Sequence, residues 1–522
     1  MSSFLPSNVA EICPCRHTKS ERKAGSTGVI FLYKMGVLWY VFSMLEPPSR
    51  PLDVHRWSDH PESNRVVNQI YDEWFAEDTP DITKKHLKVI LLDVYVGWKT
   101  HPDMTIGIAM SQTYYRANSR YNALHISNKA IPITKRLRDV GLLEWDKGWP
   151  GYGEKRGKMS QFWPTEKLKE MFKRVHFGLE DIFTHPDKET IVLRDEKKKD
   201  IPYEDTPEIV RMRELVRDYN RLLERTFVDM PKLNEPVIII PPKRPYDKPT
   251  RIFISQNEKF TRRIFSNSSW EQNGRFHGGW WQRIPSEHRK DISINDGPTI
   301  EIDYSGLHAV LVYQRKGIDY WKEIKTDPYQ TNIKGLSDED SRAIGKCVLL
   351  FSFNLTDETK LFQAVKSELQ QKIPQYRFTF DNLRKVLNKL REMHPHIEED
   401  ILSGIGLNLM NIDGRIAEHI LARFVGRDIP ILAVHDSFIV PVRQDGFLGT
   451  CMKDAIDAVL SDFKVNTKQI GLGYQQWHSF RHIDYSYFLS LRDQIAGTGV
   501  TPTQGYRYRK QMFDEYLKKQ GW

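Results

Sequence analysis

The chain has 522 residues, of which 77 are Lys or Arg and 68 are Asp or Glu, so its formal net charge is +9. Four cysteines in this length exclude a disulfide-rich secreted scaffold. A hydrophobic share of 39% excludes wholesale disorder, and the length predicts several domains. The excess of positive charge is compatible with a nucleic-acid partner but does not establish one.

The N-terminal residues 1–75 give no clear prediction of structure. Their most apolar stretch runs from Gly28 to Leu45, but Lys34 lies inside it, and a glutamate and two prolines follow instead of a cleavage signal. We therefore expect neither a transmembrane helix nor a signal peptide. The corresponding expectations are a cytoplasmic protein with no membrane partner and an N-terminal extension of unclear structure.

Residues 76–180 combine two predicted helices with a predicted β-hairpin. Apolar residues recur at helical spacing over 83–98. A second helix is predicted over 128–140, where Gly141 ends it. Two β-like runs follow, joined by a basic tip rich in glycine and proline (146–158). This order indicates one compact domain.

The positive charge is concentrated in this second helix and hairpin. Over residues 120–160, nine Lys or Arg side chains stand against four Asp or Glu, the pattern expected of a surface that contacts phosphates. Helix, glycine and basic hairpin together resemble the winged helix-turn-helix class, which implies duplex DNA as a partner. The residues expected at that interface are Lys129, Lys135, Arg136, Arg138, Lys155, Arg156 and Lys158. The alternative is a winged module that contacts only protein.

Residues 181–250 are interpreted as a connector. They contain one amphipathic helix near 207–227 and a Pro-rich stretch at 240–249, which favours extended chain. A separate domain is expected over 251–490. The tail, 491–522, is basic and aromatic and is predicted to be a solvated terminal helix.

Two apolar segments of the last domain each lead to an aspartate. Residues 299–303 alternate as a strand that ends at Asp303, and a small-residue turn into a helix follows. Residues 429–440 predict a β-hairpin with Asp436 at its tip. A carboxylate at the end of a buried strand needs a cationic partner, and two of them on adjacent strands can hold two metal ions. Hard oxygen ligands suit Mg²⁺ or Mn²⁺, and no Cys/His cluster offers a softer site.

A basic helix is predicted between these aspartates, which are 133 positions apart. Arg342 and Lys346 are separated by four residues, so they share one helical face and could grip a triphosphate. Phe351 could stack near a base. The alternative is an ordinary solvated basic helix.

Upstream of Asp303, residues 262–282 interleave aromatic residues with arginine and glycine. This pattern suits a track for a nucleic-acid backbone with base stacking, and it equally suits an aromatic corner of the core. Arg262, Arg275 and Arg289 are the candidates for gripping primer and template.

Together these segments resemble the palm and fingers of family A DNA polymerases and of the phage-type single-subunit RNA polymerases. Asp303-Tyr304-Ser305 resembles the first catalytic motif of that superfamily. Arg342 and Lys346 resemble the Arg-x3-Lys of its fingers helix, and His435-Asp436 resembles its histidine–aspartate hairpin. The resemblance covers about residues 250–490. It implies an α+β fold with an antiparallel palm sheet and reduced fingers, preceded by the winged-helix domain.

The resemblance also implies a function, a template-dependent nucleotidyltransferase that uses nucleoside triphosphates and a DNA template and primer. Asp303 and Asp436 would hold two metal ions, and Lys346 is also a candidate proton donor to pyrophosphate. The other nucleotide contacts would come from Arg342, Tyr304, His308, Phe351 and Asn354. Further contacts to primer and template would come from Asn408, Asn411 and His435.

Two departures from the family pattern keep alternatives open. Asn354 occupies the register of a family tyrosine. His308 stands where the DNA polymerases have a bulky glutamate and the RNA polymerases a glycine. Its size favours deoxynucleotides, but its ring could also accept a hydrogen bond from a ribose. A DNA polymerase, as replication of a mobile element would require, is the first expectation. An RNA polymerase or primase on the same fold, and an inactive DNA-binding initiator or regulator, are the alternatives.

Overall fold

The computed structural model describes residues 47–151, 157–242, 249–460, 467–470 and 501–522. Within these ranges the chain is an α+β protein, as expected, with two large apolar cores. One core is formed mainly by residues 52–182 and the other by residues 191–460. The apolar stretch 28–45 and the predicted DNA contacts Lys155 and Arg156 lie outside the described residues.

Helices and a small mixed sheet enclose the first core. The helices are α1 (Pro61–Trp74), α2 (Pro80–Thr100), α3 (Ala130–Asp139) and α4 (Glu166–Lys173). The strands are β1 (Ser49–Pro51), β2 (Arg56–Trp57), β3 (Thr105–Ile108), β4 (Leu143–Asp146), β5 (Ser160–Pro164) and β6 (Phe183–Thr184). The main sheet has the order β1-β3-β5-β4, and β2 pairs with β6.

Helix α2 is the centre of this half. Its residues are buried all round from His86 to Gly97, so it is a core helix instead of the predicted one-sided stripe. Among the described residues, no helix combines the length and apolar composition that crossing a bilayer requires.

The buried Asp93 of α2 ties the chain before residue 75 to this core. Arg50 donates to its carboxylate over 2.8 Å and Arg56 over 3.3 Å. A buried charge requires such partners. From Ser49 onward, residues of the N-terminal region, for which the sequence analysis made no clear prediction, therefore pack with the first half.

The predicted second helix and hairpin are confirmed as elements. Gly141, with φ 77°, follows α3 in the left-handed conformation that favours glycine. Strands β4 and β5 pair antiparallel, and Trp149 pairs with Lys158 farther along the hairpin. Strand β3 pairs antiparallel with the other edge of β5.

The second half holds the longer sheets and most of the helices that the structure describes. Its strands are β7 (Ile191–Leu193), β8 (Val228–Asp229), β9 (Val237–Ile240), β10 (Thr250–Phe253), β11 (Arg262–Ser266), β12 (Ser269–His277), β13 (Ser293–Ile294), β14 (Gly297–Tyr304), β15 (Leu432–Val434), β16 (Ser437–Pro441) and β17 (Thr467–Ile470). Its helices are α5 (Pro207–Glu224), α6 (Ser286–Arg289), α7 (Leu307–Gln314), α8 (Tyr320–Glu323), α9 (Asp338–Asn354), α10 (Glu358–Leu369), α11 (Phe380–Met393), α12 (Gly406–Val425), α13 (Asp445–Leu460) and α14 (Gln504–Gln520).

Strand β14 runs through the middle of an antiparallel sheet. The order is β15-β16-β14-β13-β8, and β17 also pairs with β14. Because side chains alternate along a strand, Ile300, Ile302 and Tyr304 share one face and are buried. The Tyr304 hydroxyl donates to the carbonyl oxygen of Met452 in α13 over 2.6 Å. The opposite face carries Glu301 and Asp303.

The predicted connector is part of the second core. Strand β7 pairs in parallel with β11, with Ile191 opposite Arg263. Tyr219 of α5 is fully buried, and its hydroxyl donates to the carbonyl oxygen of Ile431 over 3.0 Å. Residues 181–250 therefore supply packed elements, which corrects the connector interpretation. Residues 243–248 of the Pro-rich stretch lie outside the described residues.

The C-terminal helix α14 is also packed. Tyr506 and Phe513 are buried against Phe227. Arg509 donates to both carboxylate oxygens of Asp229, over 2.8 and 2.9 Å, and that carboxylate has no exposed surface. The predicted helix is confirmed, but the expectation that it is solvated is wrong.

Candidate active site

The two predicted aspartates are adjacent in their backbones, with Asp303 on β14 and Asp436 in the turn that precedes β16. Asp303 of β14 pairs with Ser437 of β16, the residue that directly follows Asp436. The Tyr304 backbone N–H donates to the Asp436 carbonyl oxygen over 3.4 Å. Both aspartates are half-buried at the end of an otherwise apolar sheet. The sheet thus joins carboxylates that are far apart in the chain.

The hairpin between β15 and β16 is a tight turn of two residues, His435 and Asp436. His435 has φ 59°, a conformation that is costly for a residue other than glycine. Burial, with the nearby Arg275, lowers the pKa of His435. Its Nδ1 atom is buried with no hydrogen-bond partner among the described residues. Such strain at a turn is typical of functional sites.

A second histidine, His277 at the end of β12, faces the hairpin. Its ring centroid is 5.7 Å from that of His435. Burial, with the charge of His435 as the next cause, lowers the pKa of His277 to about 4, so this ring is neutral at physiological pH. The sequence analysis did not identify His277 as a site residue.

The sheet also carries an acidic residue that the sequence analysis did not single out. Glu301 lies two positions before Asp303 and accepts hydrogen bonds from Arg289, over 2.8 and 3.1 Å, and from the Ser437 hydroxyl, over 2.6 Å. The two-residue period of the strand, which puts Glu301 on the face of Asp303, was a usable signal. The guanidinium of Arg289, a predicted primer–template contact, is thus already paired inside the protein.

Helix α9 presents its two predicted cations to Tyr329. The Arg342 guanidinium lies 5.3 Å and the Lys346 ammonium 5.9 Å from the centre of that ring. Arg342 also donates to the Asp327 carboxylate over 2.7 Å. Burial first, and then the charge of Asp436, raise the pKa of Tyr329. This buried ring therefore contacts the basic face of α9 and also feels the charge of Asp436.

Two glycines allow Tyr329 to sit there. A Cβ atom at Gly345 of α9 would collide with the Tyr329 carbonyl oxygen. A Cβ atom at Gly306, which precedes α7 with φ 68°, would lie 3.1 Å from Cγ of Pro328, the residue before Tyr329. The segment is anchored from behind by His394, whose Nε2 lies 2.8 Å from the Pro328 carbonyl oxygen. These close approaches bring α9 up to the end of β14.

His308, on the first turn of α7, belongs to a buried charged cluster. Arg275 of β12 donates through Nε to Asp413 of α12 over 2.6 Å, and its terminal nitrogen lies 3.0 Å from His308 Nε2. Burial alone would raise the pKa of Asp413, but Arg275 and His308 bring it below its ordinary value. Arg275, a second predicted primer–template contact, is therefore also paired inside the protein.

Close packing of α12 against β12 creates this cluster. A Cβ atom at Gly414 would collide with the Gly274 carbonyl oxygen, so only glycine permits the approach. The neighbours of these glycines, Asp413 and Arg275, consequently meet. The sequence analysis did not identify Asp413 as a site residue. The feature that could have indicated it is a carboxylate among the apolar residues of α12.

The remaining predicted nucleotide contacts are spread more widely. Tyr304 is buried beneath the sheet, so its ring does not face the aspartates. Phe351 packs partly against the core. Asn354 is exposed at the end of α9, and its amide donates to the Leu350 carbonyl oxygen. Their nucleotide contacts stay predictions.

The other predicted primer–template residues line β11 and β12. Arg262 of β11 is half-buried, and burial lowers its pKa. Asn408 and Asn411 of α12 donate to backbone carbonyls of β12, over 3.3 and 3.0 Å. In the aromatic block, Trp280 and Trp281 are fully buried. These two tryptophans therefore belong to the hydrophobic core, which was the alternative interpretation of the aromatic block.

The basic surface of the first half is a separate site. Lys129, Lys135, Arg136 and Arg138 are exposed on and just before α3. Arg136 and Arg138 contact Asp78 and Asp139, and Lys158 of the hairpin contacts Asp146 over 2.6 Å. Lys129 and Lys135 form no ion pair with any residue that the structure describes.

The predicted metal ligands are the two aspartates. Among the described residues, no group of three or more His, Cys, Asp or Glu side chains is placed to hold a metal ion. Mg²⁺ is commonly bound by one or two carboxylates together with substrate phosphates. Two half-buried carboxylates whose backbones are adjacent would suit a metal ion that completes its coordination with substrate phosphates.

Comparison with known proteins adds no relative. No protein-family model matches the chain, and no curated protein matches it.

Proposed function

We propose that this protein is a template-dependent nucleotidyltransferase whose second half is built like the palm and reduced fingers of family A and phage-type polymerases. The observation that carries the proposal is the pairing of β14 with β16, with Asp303 and Asp436 as neighbours. In further support, Arg342 and Lys346 of α9 both approach the ring of Tyr329, whose pKa is raised in part by the charge of Asp436. Opposed carboxylates and cations are what a metal–triphosphate complex requires.

Each group has a role in this proposal. Asp303 and Asp436 would hold Mg²⁺, or Mn²⁺, which when bound activates a primer hydroxyl and neutralises the phosphate charge. Arg342 and Lys346 bind the triphosphate, and Lys346 can donate a proton to the leaving pyrophosphate. His435, at the strained hairpin, contacts the primer terminus.

His308 is the wall against the nucleotide sugar. His308 lies on the first turn of α7, five residues after Asp303, and its ring is held by Arg275. A bulky, fixed side chain leaves little room for a ribose 2′-hydroxyl. We therefore propose DNA synthesis in preference to RNA synthesis.

The first half would bind duplex DNA as a winged helix. In support, α3 carries exposed cations, and β4 and β5 form the hairpin that follows it, with β3 on the other edge of β5. This arrangement suits a recognition helix and a wing. It would bring the catalytic half to a duplex, as replication of a mobile element would require.

Primer extension on a DNA template with Mg²⁺ tests the proposal. The wild type should extend the primer, and Asp303→Asn and Asp436→Asn should each lower the rate by about a thousandfold or more while DNA binding is retained. Asp381→Asn, an exposed aspartate on α11, is the matched control and should extend normally.

Two sets of nucleotides separate the alternatives. Extension with ribonucleotides in preference to deoxynucleotides would favour an RNA polymerase or primase on the same fold. A folded wild type that binds DNA but extends the primer with neither ribonucleotides nor deoxynucleotides would overturn the enzymatic proposal. It would favour the alternative of an inactive DNA-binding initiator or regulator.

A further inference from the structure

Arg275 and Asp413 both contact the His308 ring at its Nε2 atom. A terminal nitrogen of Arg275 lies 3.0 Å from this atom, and a carboxylate oxygen of Asp413 lies 3.5 Å from it. The Arg275–Asp413 pair therefore holds one edge of the ring.

Asp413 in turn holds Arg275. Its side chain is 1% exposed and 14% of the Arg275 side chain is exposed, so solvent competes little with the pair. The second carboxylate oxygen of Asp413 is buried with no partner among the described residues. The arginine is consequently the principal partner that fixes this carboxylate, and the carboxylate fixes the arginine.

We propose that Asp413 is a positioning residue that sets the sugar selectivity of the site, acting through Arg275 on His308, in favour of deoxynucleoside triphosphates. This inference rests on the proposed function. Asp413 does not itself reach the nucleotide. Through the contacts of the Arg275–Asp413 pair, it keeps the His308 ring in one orientation, so the ring cannot turn aside to admit a ribose 2′-hydroxyl.

The fold offers a matched control for this cluster. Arg263 of β11 donates to Glu418 of α12 over 2.6 Å, so this pair also joins the β11–β12 hairpin to α12. The Arg263 side chain is 3% exposed, so this arginine is also largely buried. Glu418→Gln therefore breaks a comparable ion pair without touching His308.

The test is the ratio of kcat/KM for deoxynucleotides to kcat/KM for ribonucleotides in primer extension. Asp413→Asn should lower this ratio by about tenfold or more, the factor that corresponds to one charge-assisted hydrogen bond. Arg275→Lys keeps the charge next to Asp413 but loses the fork that reaches His308, and should lower the ratio similarly. Glu418→Gln should leave the ratio unchanged.

A double-mutant cycle with His308→Gly separates positioning from a general structural effect. If Asp413 acts through His308, Asp413→Asn should have no further effect on the ratio in the His308→Gly background. An equal effect in both backgrounds, or a wild-type ratio in Asp413→Asn, would overturn the inference and leave the proposed function standing. If Asp413→Asn does not fold, the same cycle is run with Arg275→Lys. A wild type that extends with neither nucleotide set overturns both proposals.

Discussion

The backbone N–H of Tyr304 donates to the carbonyl oxygen of Asp436 over 3.4 Å. This bond continues the antiparallel ladder of β14 and β16, in which opposed residues lie about 5 Å apart. It brings Asp303 next to Asp436 although 133 positions separate them in the chain. The proposed chemistry depends on this pairing.

Asp327 should keep Arg342 ready to bind a triphosphate. Asp327→Asn weakens the 2.7 Å contact that holds the guanidinium over Tyr329. Because both side chains are partly exposed, we expect the nucleotide KM to rise by only about twofold to fivefold, with little change in kcat. Steady-state extension kinetics measure this. Glu339→Gln, which changes an exposed acidic residue on α9, the helix of Arg342, is the control. An unchanged KM in Asp327→Asn would contradict the proposed role of Asp327 in holding Arg342.

Gly345 should tolerate no side chain. A Cβ atom there meets the Tyr329 carbonyl oxygen, so Gly345→Ala must displace Tyr329 or α9. We expect a loss of about 1–3 kcal/mol in the free energy of unfolding, together with weaker nucleotide binding. Gly449→Ala on α13, where the added atom meets nothing within 4 Å, should be neutral or stabilising. Urea unfolding compares them, and equal behaviour of the two variants would disprove the close contact.

The exposed lysines of α3 should contribute phosphate contacts. Replacing Lys129 and Lys135 with glutamine should weaken duplex binding for all sequences alike and reduce the salt slope of log K by about 1.8. Fluorescence anisotropy at several salt concentrations measures the slope. Lys173→Gln on α4 is the control. An unchanged slope would favour a winged module that binds only protein.

Arg509 should be important for stability. Arg509→Met leaves the carboxylate of Asp229 buried without its cation, which should cost about 3–5 kcal/mol of unfolding free energy. Arg507→Met removes an exposed arginine from the same helix and should cost much less. Chemical denaturation followed by circular dichroism compares the two. Similar losses of unfolding free energy in the two variants would mean that the packing of α14 does not depend on the Arg509–Asp229 ion pair.

Lys259 should make stability depend on pH. Burial lowers its pKa from 10.5 to about 7, so between these values the folded chain has lost a proton that the unfolded chain still holds. Stability should therefore rise with pH across this window, by at most about 1.4 kcal/mol per unit. Lys259→Met removes this contribution, so the difference in unfolding free energy between wild type and variant should grow from about pH 7 to pH 9. A difference that is the same at both pH values would be contrary to this expectation.

The local elements of the candidate site were predictable from the sequence. Alternating apolar residues indicated the strand that ends at Asp303, and helical spacing placed Arg342 and Lys346 on one face, because these periods follow from backbone geometry alone. The hairpin around Asp436 was equally visible. Such patterns do not reveal partners, so Arg275 and Arg289 could not be recognised as paired with Asp413 and Glu301.

The sequence-based predictions were less accurate where a short strand or a helix depends on contacts with distant parts of the chain. Strands β1 and β7 have only three residues each, too few to show a period, and they exist through pairing with β3 and β11. The tail was expected in solvent because its composition is basic, whereas the buried Asp229 draws Arg509 into the protein.

By itself, the sequence determined the α+β class, the order of the main helices and strands, and the candidate carboxylates and cations. The tertiary structure alone decided which of them meet. Strand pairing joins Asp303 to Asp436, and the bare backbone of Gly414 against Gly274 joins Asp413 to Arg275. The physical reason is that periodicity is a local property of the backbone, whereas ion pairs and burial depend on packing between segments distant in the chain.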